Sequence, residues 1–312
     1  NRNNSMKKKI LVLGGGISKE RLISLETAKG VFKELKKKNY NVIVCEPDGN
    51  LISKIKKFKP DIVFNALHGQ FGEDGYVQAI LESQKIKYTH SGVLASSVAM
   101  DKIISKKIYL KNKILTPKYI KFKFNQNDII YTKIINRIQK KLKFPVVIKP
   151  INEGSSVNVY ICNKKNFITN IKKLILYKEV LIEEYIPGRE IQVAILGKRK
   201  LGAIELKPKR KFYDYEAKYN AKAQTKHIIP VQLSKKNLEK VMNIALKAHR
   251  LIGCRGVTRS DFKFYKDKFF LLETNTQPGM TKLSLVPEIA HYTGMSFIDL
   301  IEWILNDASI NR

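Results

Sequence analysis

Asp261, Glu273 and Asn275 are the residues in this chain whose types and spacing could do chemistry together. They fall in the stretch from Arg255 to Pro287, which reads as a hairpin. Ser260–Tyr265 alternates, Lys266-Asp267-Lys268 turns, and Phe269–Glu273 returns. A turn centred near Asp267 places Asp261 across from Glu273, or one step off, on a shared face. Asn275 joins that face two residues on, and Arg259 joins it two residues before Asp261. Phe262, Phe264, Phe270 and Leu272 are expected on the other face, towards a core. Two carboxylates at close quarters repel. A hard cation removes the conflict, and Mg²⁺ favours carboxylates combined with substrate phosphate oxygens. The same spacing fits a solvated polar face on an edge hairpin, and the residues alone leave both readings open.

A second group centres on Lys149, near the end of the apolar run Phe144–Pro150. Glu153-Gly154-Ser155-Ser156 follows as a small-residue loop whose backbone N–H groups could cradle phosphate oxygens, with lysine as a point charge. A lysine there can also simply extend its head to water along an apolar stem. Lys102, Glu20 and His68 are further candidates. Each has a plain structural alternative: a surface lysine, a glutamate favoured by a helix dipole, and a histidine closing a strand. Phe212-Tyr213-Asp214-Tyr215-Glu216-Ala217-Lys218-Tyr219 is an aromatic-rich stretch within Arg210–Gln224, a long and poorly periodic loop of functional type.

The elements that must position these groups follow from periodicity. Lys9–Leu13, Asn41–Cys45 and Asp61–Leu67 read as strands, with a helix over Leu25, Ala28, Val31, Phe32 and Leu35 capped by Ser24. This alternation predicts an α/β unit with a parallel sheet. Its functional groups are expected where strands end, at Gly14–Glu20 and His68–Asp74. Gly14-Gly15-Gly16 is neither a dinucleotide fingerprint nor a Walker loop, because Lys19 stands where the last glycine would fall and no Gly-Lys-Ser/Thr follows. Asp101-Lys102 begins a second unit. Strands are expected at Phe144–Pro150, Glu179–Ile186, Glu190–Leu196 and Leu201–Lys207. Ser234 caps a helix ending at Gly253, Ser284-Leu285 opens a short helix, and Ser296–Asn306 is a last amphipathic helix.

The chain has 312 residues, 44% hydrophobic and 28% charged, which suits two or three packed units. Cys45, Cys162 and Cys254 are scattered and odd in number, so reduced thiols in a cytoplasmic setting are expected. No apolar run reaches the length of a membrane span. Asn1–Ser5 precede Met6 and read as a remnant or a processed leader, and the polar start has no secretory h-region. The net charge of +32 comes from lysines in every segment, so it reads as spread over the surface and not as a nucleic-acid patch.

Arg-Ser-Asp at 259–261, Leu-Leu-Glu-Thr-Asn-Thr at 271–276, Pro-Gly-Met-Thr at 278–281 and Ser-Leu-Val-Pro at 284–287 resemble the D-alanine–D-alanine ligase family of the ATP-grasp superfamily. The 212–219 loop is similar to that family's closing loop nearly letter for letter. The resemblance runs from about Met6 to the last helix. It implies mixed α/β and α+β architecture: a Rossmann-like first domain over 6–100, then a clamp of a central module (101–187) and a C-terminal module (188–312). It implies ATP-dependent joining of two D-alanines through an acyl phosphate for peptidoglycan synthesis. Another ATP-grasp carboxylate–amine ligase, or a D-alanine–D-lactate ligase, is the alternative. A polyanion-binding protein that keeps the fold without catalysis is the alternative of another class.

Residue by residue, the resemblance assigns ATP to Lys102, Lys149, Glu153, Ser155, Ser156, Glu183, Glu184, Tyr185, Ile186, Glu190 and Lys218. Backbone groups of 183–186 would meet adenine, Glu190 the ribose and Lys218 the γ-phosphate. Mg²⁺, two ions with Mn²⁺ as an expected substitute, falls to Asp261, Glu273 and Asn275. Substrate falls to Glu20, His68, Arg259, Gly279, Ser284 and Leu285. The implied catalytic set is Glu20, Ser155, Tyr219, Arg259 and Ser284, with Tyr219 bonded to Ser155 and Glu20. A homodimer without nucleic-acid or membrane partners is expected. Asn158 stands where the family commonly has glycine, and Gln277 where a smaller or apolar residue is usual.

Overall fold

The computed structural model describes residues 8–125, 129–154, 156–207, 225–281 and 283–312. The first sheet is parallel, with β1 (Lys9–Leu13), β2 (Asn41–Cys45), β3 (Ile62–Asn65) and β4 (Lys87–Tyr88) in the order β2-β1-β3-β4. Strand β3 is buried along its length, as a parallel strand covered on both faces must be. Helices α1 (Arg21–Lys37), α2 (Leu51–Phe58) and α3 (Tyr76–Ser83) supply the cover.

Helix α1 begins earlier than its expected Ser24 cap, at Arg21 after Glu20. Ser24 lies inside the helix, where its Oγ accepts from Gly15 N at 2.8 Å and donates to Ala66 O at 2.8 Å. Those backbone groups lie just past the ends of β1 and β3. The hydroxyl gives both buried backbone groups a partner. Strand β3 likewise stops at Asn65, short of the expected Leu67, because the Asn65 side chain accepts from Leu67 N and donates to Gly72 O, turning the chain.

Helices α4 (Val93–Met100) and α5 (Lys102–Lys111) follow, the latter capped by the Asp101 carboxylate. The second sheet is antiparallel, with β5 (Tyr119–Lys123), β6 (Val146–Pro150), β7 (Tyr160–Cys162) and β8 (Glu179–Glu184) in the order β5-β8-β6-β7. Helices α6 (Ile129–Lys141) and α7 (Phe167–Lys172) close a separate core over it, around Phe122, Ile138, Ile148, Phe167 and Ile182.

The third sheet is also antiparallel, with β9 (Arg189–Leu196), β10 (Arg199–Lys207), β11 (Lys226–Ile228), β12 (Val257–Tyr265) and β13 (Lys268–Asn275) in the order β11-β10-β9-β12-β13. One face packs on α4, α5 and α8 (Lys235–Ile252). Helix α8 is capped by Ser234 and ended by Gly253 at φ +82°. The other face shares a continuous core with β1, β3, α1, α9 (Leu285–Tyr292) and α10 (Phe297–Asp307). The first and third sheets are therefore fastened together, while the second carries its own core.

Candidate active site

The β12–β13 hairpin puts Asp261 opposite Glu273 and Arg259 opposite Asn275. The register then shifts, and Phe262 pairs with Leu271. Leu272 is thus an extra residue on β13, a bulge. It corrects the expected facing of the return strand. Phe269 and Leu271 join Phe262 in the core, whereas Phe270 is only half-buried and Leu272 lines a cleft beside Glu273.

That cleft lies between the second and third sheets and is partly open to solvent. The second sheet and its loops contribute Lys149, Glu153, Ser156, Glu183, Glu184, Tyr185 and Ile186; the third contributes Glu190, Asp261, Lys263 and Glu273; Lys102 enters from the head of α5. Its lining, apolar walls with lysines and carboxylates converging, suits a nucleotide. Lys102 Nζ donates to Glu153 O at 2.6 Å and lies 3.3 Å from Glu273 Oε2. Arg259 grips Asp261 with two bonds, Nε to Oδ1 at 2.7 Å and a terminal nitrogen to Oδ2 at 2.9 Å. Glu190 accepts from Lys263 at 2.8 Å. Asn275 Oδ1 accepts from Gln277 N at 2.9 Å.

Two carboxylates and an amide oxygen fit a magnesium ion that takes its remaining ligands from phosphate and water. Among the described residues no three of His, Cys, Asp or Glu converge into an all-protein cage. Arg259 and Lys102 meet the carboxylate charge in this arrangement.

Glu183 is buried between two lysines. Lys149 Nζ donates to Oε1 at 2.5 Å, and Lys106 Nζ lies 2.9 Å from Oε2. Burial works against its ionisation, but the two ammonium groups prevail and hold its pKa below the ordinary value. Burial also pushes Lys106 down to about 8, against the pull of Glu183. Sequence reasoning missed Lys106. Its signal was the four-residue spacing from Lys102 on one helix face, hidden among many surface lysines.

On the far side of Lys102, a hollow is lined by Glu73, Lys102, Glu153, Gly154, Glu273 and Asn275. Glu20 is buried beside it, and a Cβ added at Gly154 would stand 2.9 Å from Glu20 Oε2. Glu73 accepts from Gly69 N at 3.0 Å, so it does shape the turn. Burial, and then the charge of Glu20, raise its pKa well above the carboxylate range. Two buried carboxylates this close favour an amine cation beside them. Sequence reasoning placed Glu73 within the His68–Asp74 strand end but gave it no role in the site.

His68 is buried, and burial lowers its pKa to about 4. Nδ1 is 3.1 Å from Gln277 O and Nε2 is 3.0 Å from Thr27 Oγ1. A carbonyl can only accept, so the neutral ring carries its proton on Nδ1 and accepts from threonine. Gln277 also donates from Nε2 to Asn65 O at 2.9 Å and Leu67 O at 3.2 Å, tying the third unit to the first. Gly279 is crowded: a Cβ there would stand 2.7 Å from Ser284 Oγ, so that hydroxyl would have to move. That hydroxyl bonds Thr281 N at 2.9 Å and Thr281 Oγ1 at 2.8 Å, and Leu285 N–H begins α9. Ser155, Lys218 and Tyr219 lie outside the described residues.

Residues 109–306 match the family described as D-ala D-ala ligase C-terminus, and residues 46–91 match D-ala D-ala ligase N-terminus. The chain is 70% identical over 307 residues to a D-alanine–D-alanine ligase of Pelagibacter ubique (strain HTCC1062), covering 98% of this chain and 100% of that protein. It is 42% identical over 305 residues to that of Wolbachia pipientis wMel, covering 96% and 94%. The fold matches the crystal structure of D-alanine–D-alanine ligase from Bacillus anthracis complexed with ATP at a TM-score of 0.83, with 33% identity over 97% of each chain. With two family domains matched in order and likeness along nearly its whole length, this chain belongs to the D-alanine–D-alanine ligase family.

Proposed function

We propose that the chain joins two D-alanines into D-alanyl-D-alanine, with ATP becoming ADP and phosphate, to make a peptidoglycan precursor. The observation that carries this is the convergence of Lys102, Lys149, Asp261 and Glu273 on one cleft between two sheets.

An amine cannot displace oxide from a carboxylate, so the carboxylate must first be activated. A carboxylate oxygen of the first D-alanine attacks the γ-phosphorus, the bond to the β-phosphate oxygen breaks, and ADP leaves. The amine of the second D-alanine, having shed its ammonium proton, attacks the acyl carbon; phosphate leaves with the C–O bond pair and takes up the second nitrogen proton, leaving the amide. Lys102 and Lys149 set positive charge against the nucleotide phosphates. Residues 183–186 edge the base, and Glu190 accepts from the ribose. Glu20, beside Glu73, takes the first ammonium. Arg259, oriented by both oxygens of Asp261, meets the charge that develops on the acyl oxygens. Gly279 N–H, Ser284 and the Leu285 amide at the start of α9 receive the second carboxylate. Asp261, Glu273 and Asn275 would hold Mg²⁺, two ions with Mn²⁺ as substitute, which supplies charge neutralisation at the phosphates. For Ser155, Lys218 and Tyr219 the proposed roles are those the family resemblance implies, nucleotide contact and exclusion of water.

The working division is 6–100, 101–187 and 188–312, one sheet each. No helix among the described residues is long and apolar enough to cross a membrane. A cytoplasmic homodimer is the proposed setting. The test is phosphate release from Mg-ATP with and without D-alanine. Release that needs D-alanine, with a product of dipeptide mass, supports the assignment; release indifferent to D-alanine refutes it.

A further inference from the structure

A polar network around Tyr177 joins the first and second units and takes in Glu153. The Tyr177 hydroxyl, on the 3-10 turn Ile175–Tyr177, accepts from Lys19 Nζ at 2.8 Å and from Asn158 Nδ2 at 2.7 Å, and donates to Glu153 Oε1 at 3.0 Å. One donor and two acceptor positions exhaust what a phenol can do. Lys19 also lies 3.5 Å from Glu153 Oε1. Lys19 precedes Glu20 at the entry to α1, in the first unit, whereas Glu153 opens the small-residue loop in the second and Asn158 stands two residues past its Ser156. A hydroxyl in the second unit thus binds Glu153 and Asn158, on either side of that loop's Ser156, and fastens them to the first.

Asn158 shows how the chain accommodates this. Its φ is +55°, the left-handed region where the family's usual glycine would be at ease. Asparagine tolerates that conformation better than most side chains. It also adds an amide that glycine lacks, and this amide reaches Tyr177.

We propose that Lys19, Tyr177 and Asn158 are positioning residues that fix Glu153, at the nucleotide cleft, and the chain at Asn158 before nucleotide arrives. This rests on the reading of that loop as the phosphate loop. Ordering a loop on binding costs affinity, and ordering it in advance removes that cost. Glu153 also accepts from Lys102 through its carbonyl, so the network sets one of the cleft's cations as well. Lys19 is about half exposed, 55% at its side chain, so its share is screened by salt.

The test is calorimetric binding of a non-hydrolysable ATP analogue, with Mg²⁺, to the full chain and to Tyr177→Phe, Lys19→Met and Asn158→Gly. Each variant is expected to bind about threefold to tenfold more weakly, the range of one net hydrogen bond. The thermal midpoint and kcat at saturating ATP should stay near wild type, while KM for ATP rises in step. Adding Lys19→Met to Tyr177→Phe should cost little more than either alone, because both break one network. Unchanged affinity in Tyr177→Phe and Lys19→Met, or weakening that appears only with a fall in thermal midpoint, would overturn the proposal. Binding is read without turnover, so failure of the ligase assignment would show separately as nucleotide bound but no dipeptide made.

Discussion

Leu272 sits beside Glu273 as the unpaired residue of a bulge, and this is why Glu273 reaches the cleft opposite Asp261 while Leu271 stays in the core. The two carboxylates are set by backbone register and not by chance side-chain rotation. Glu273→Gln keeps size and hydrogen bonding but removes one charge. It should lower kcat by on the order of 100-fold or more with circular dichroism unchanged. The apparent Mg²⁺ requirement should rise. A Gln variant with near-native rate and unchanged Mg²⁺ titration would remove Glu273 from the metal role.

The buried Lys106–Glu183–Lys149 set carries a pH signature. Lys106 titrates near 8 in the fold because of burial. The unfolded chain holds that proton up to the ordinary lysine value of 10.5. Between those values the unfolded state binds more protons, so this group makes stability rise with pH. Weaker nucleotide binding above pH 8 would therefore be functional: Glu183 would be left with Lys149 alone and draw that charge from the phosphates. KM for ATP is expected to climb above pH 8 in the wild type. Lys106→Met should bind weakly at pH 7 and show a flat profile from 7 to 9. A wild-type KM flat across that range would contradict the role.

Acid should weaken the fold well before carboxylates titrate. Burial lowers His68 and His249 to about 4 and His90 to about 3. The unfolded chain takes up these protons first, from about pH 6.5 downward, so stability present above 6.5 is lost on acidification. For His68 alone the loss by pH 4 is about 3 kcal/mol. Glu73 has the opposite sign, since its raised folded value favours the fold as protons arrive, but three groups oppose one. The urea midpoint should fall between pH 6.5 and 5, less steeply in His249→Gln. An unchanged midpoint over that interval would show the histidines to be proton-binding in the fold.

Gly279 should not tolerate a side chain. The added methyl of Gly279→Ala must displace the Ser284 hydroxyl from Thr281. KM for the acceptor D-alanine should rise about tenfold or more, each tenfold being about 1.4 kcal/mol, with ATP affinity little changed. Equal loss for ATP and acceptor would point to general damage instead.

Much of this site was legible before the structure, and the reason is local. Hairpin register, strand ends and caps depend on neighbours in sequence, so Asp261 opposite Glu273, Ser234 at the head of α8 and Ser296 at the head of α10 could be read directly. The Leu272 bulge could not, because it follows from packing Phe269 and Leu271 against helices far along the chain. Lys106 and Glu73 were hidden for a different reason. Their roles come from burial beside partners 77 and 53 residues away, Glu183 and Glu20, and one lysine among so many carries no mark. Ser24 misled because its hydroxyl serves two strand ends instead of its own helix.

The central claim is an acyl phosphate between two D-alanines, and one isotope measurement tests it directly. D-alanine labelled with ¹⁸O in its carboxylate is supplied with Mg-ATP, and the released phosphate is weighed. If a carboxylate oxygen attacks the γ-phosphorus and the C–O bond then breaks, one label moves into phosphate for each dipeptide formed. Unlabelled phosphate alongside labelled dipeptide, or labelled phosphate with no dipeptide, would contradict the account.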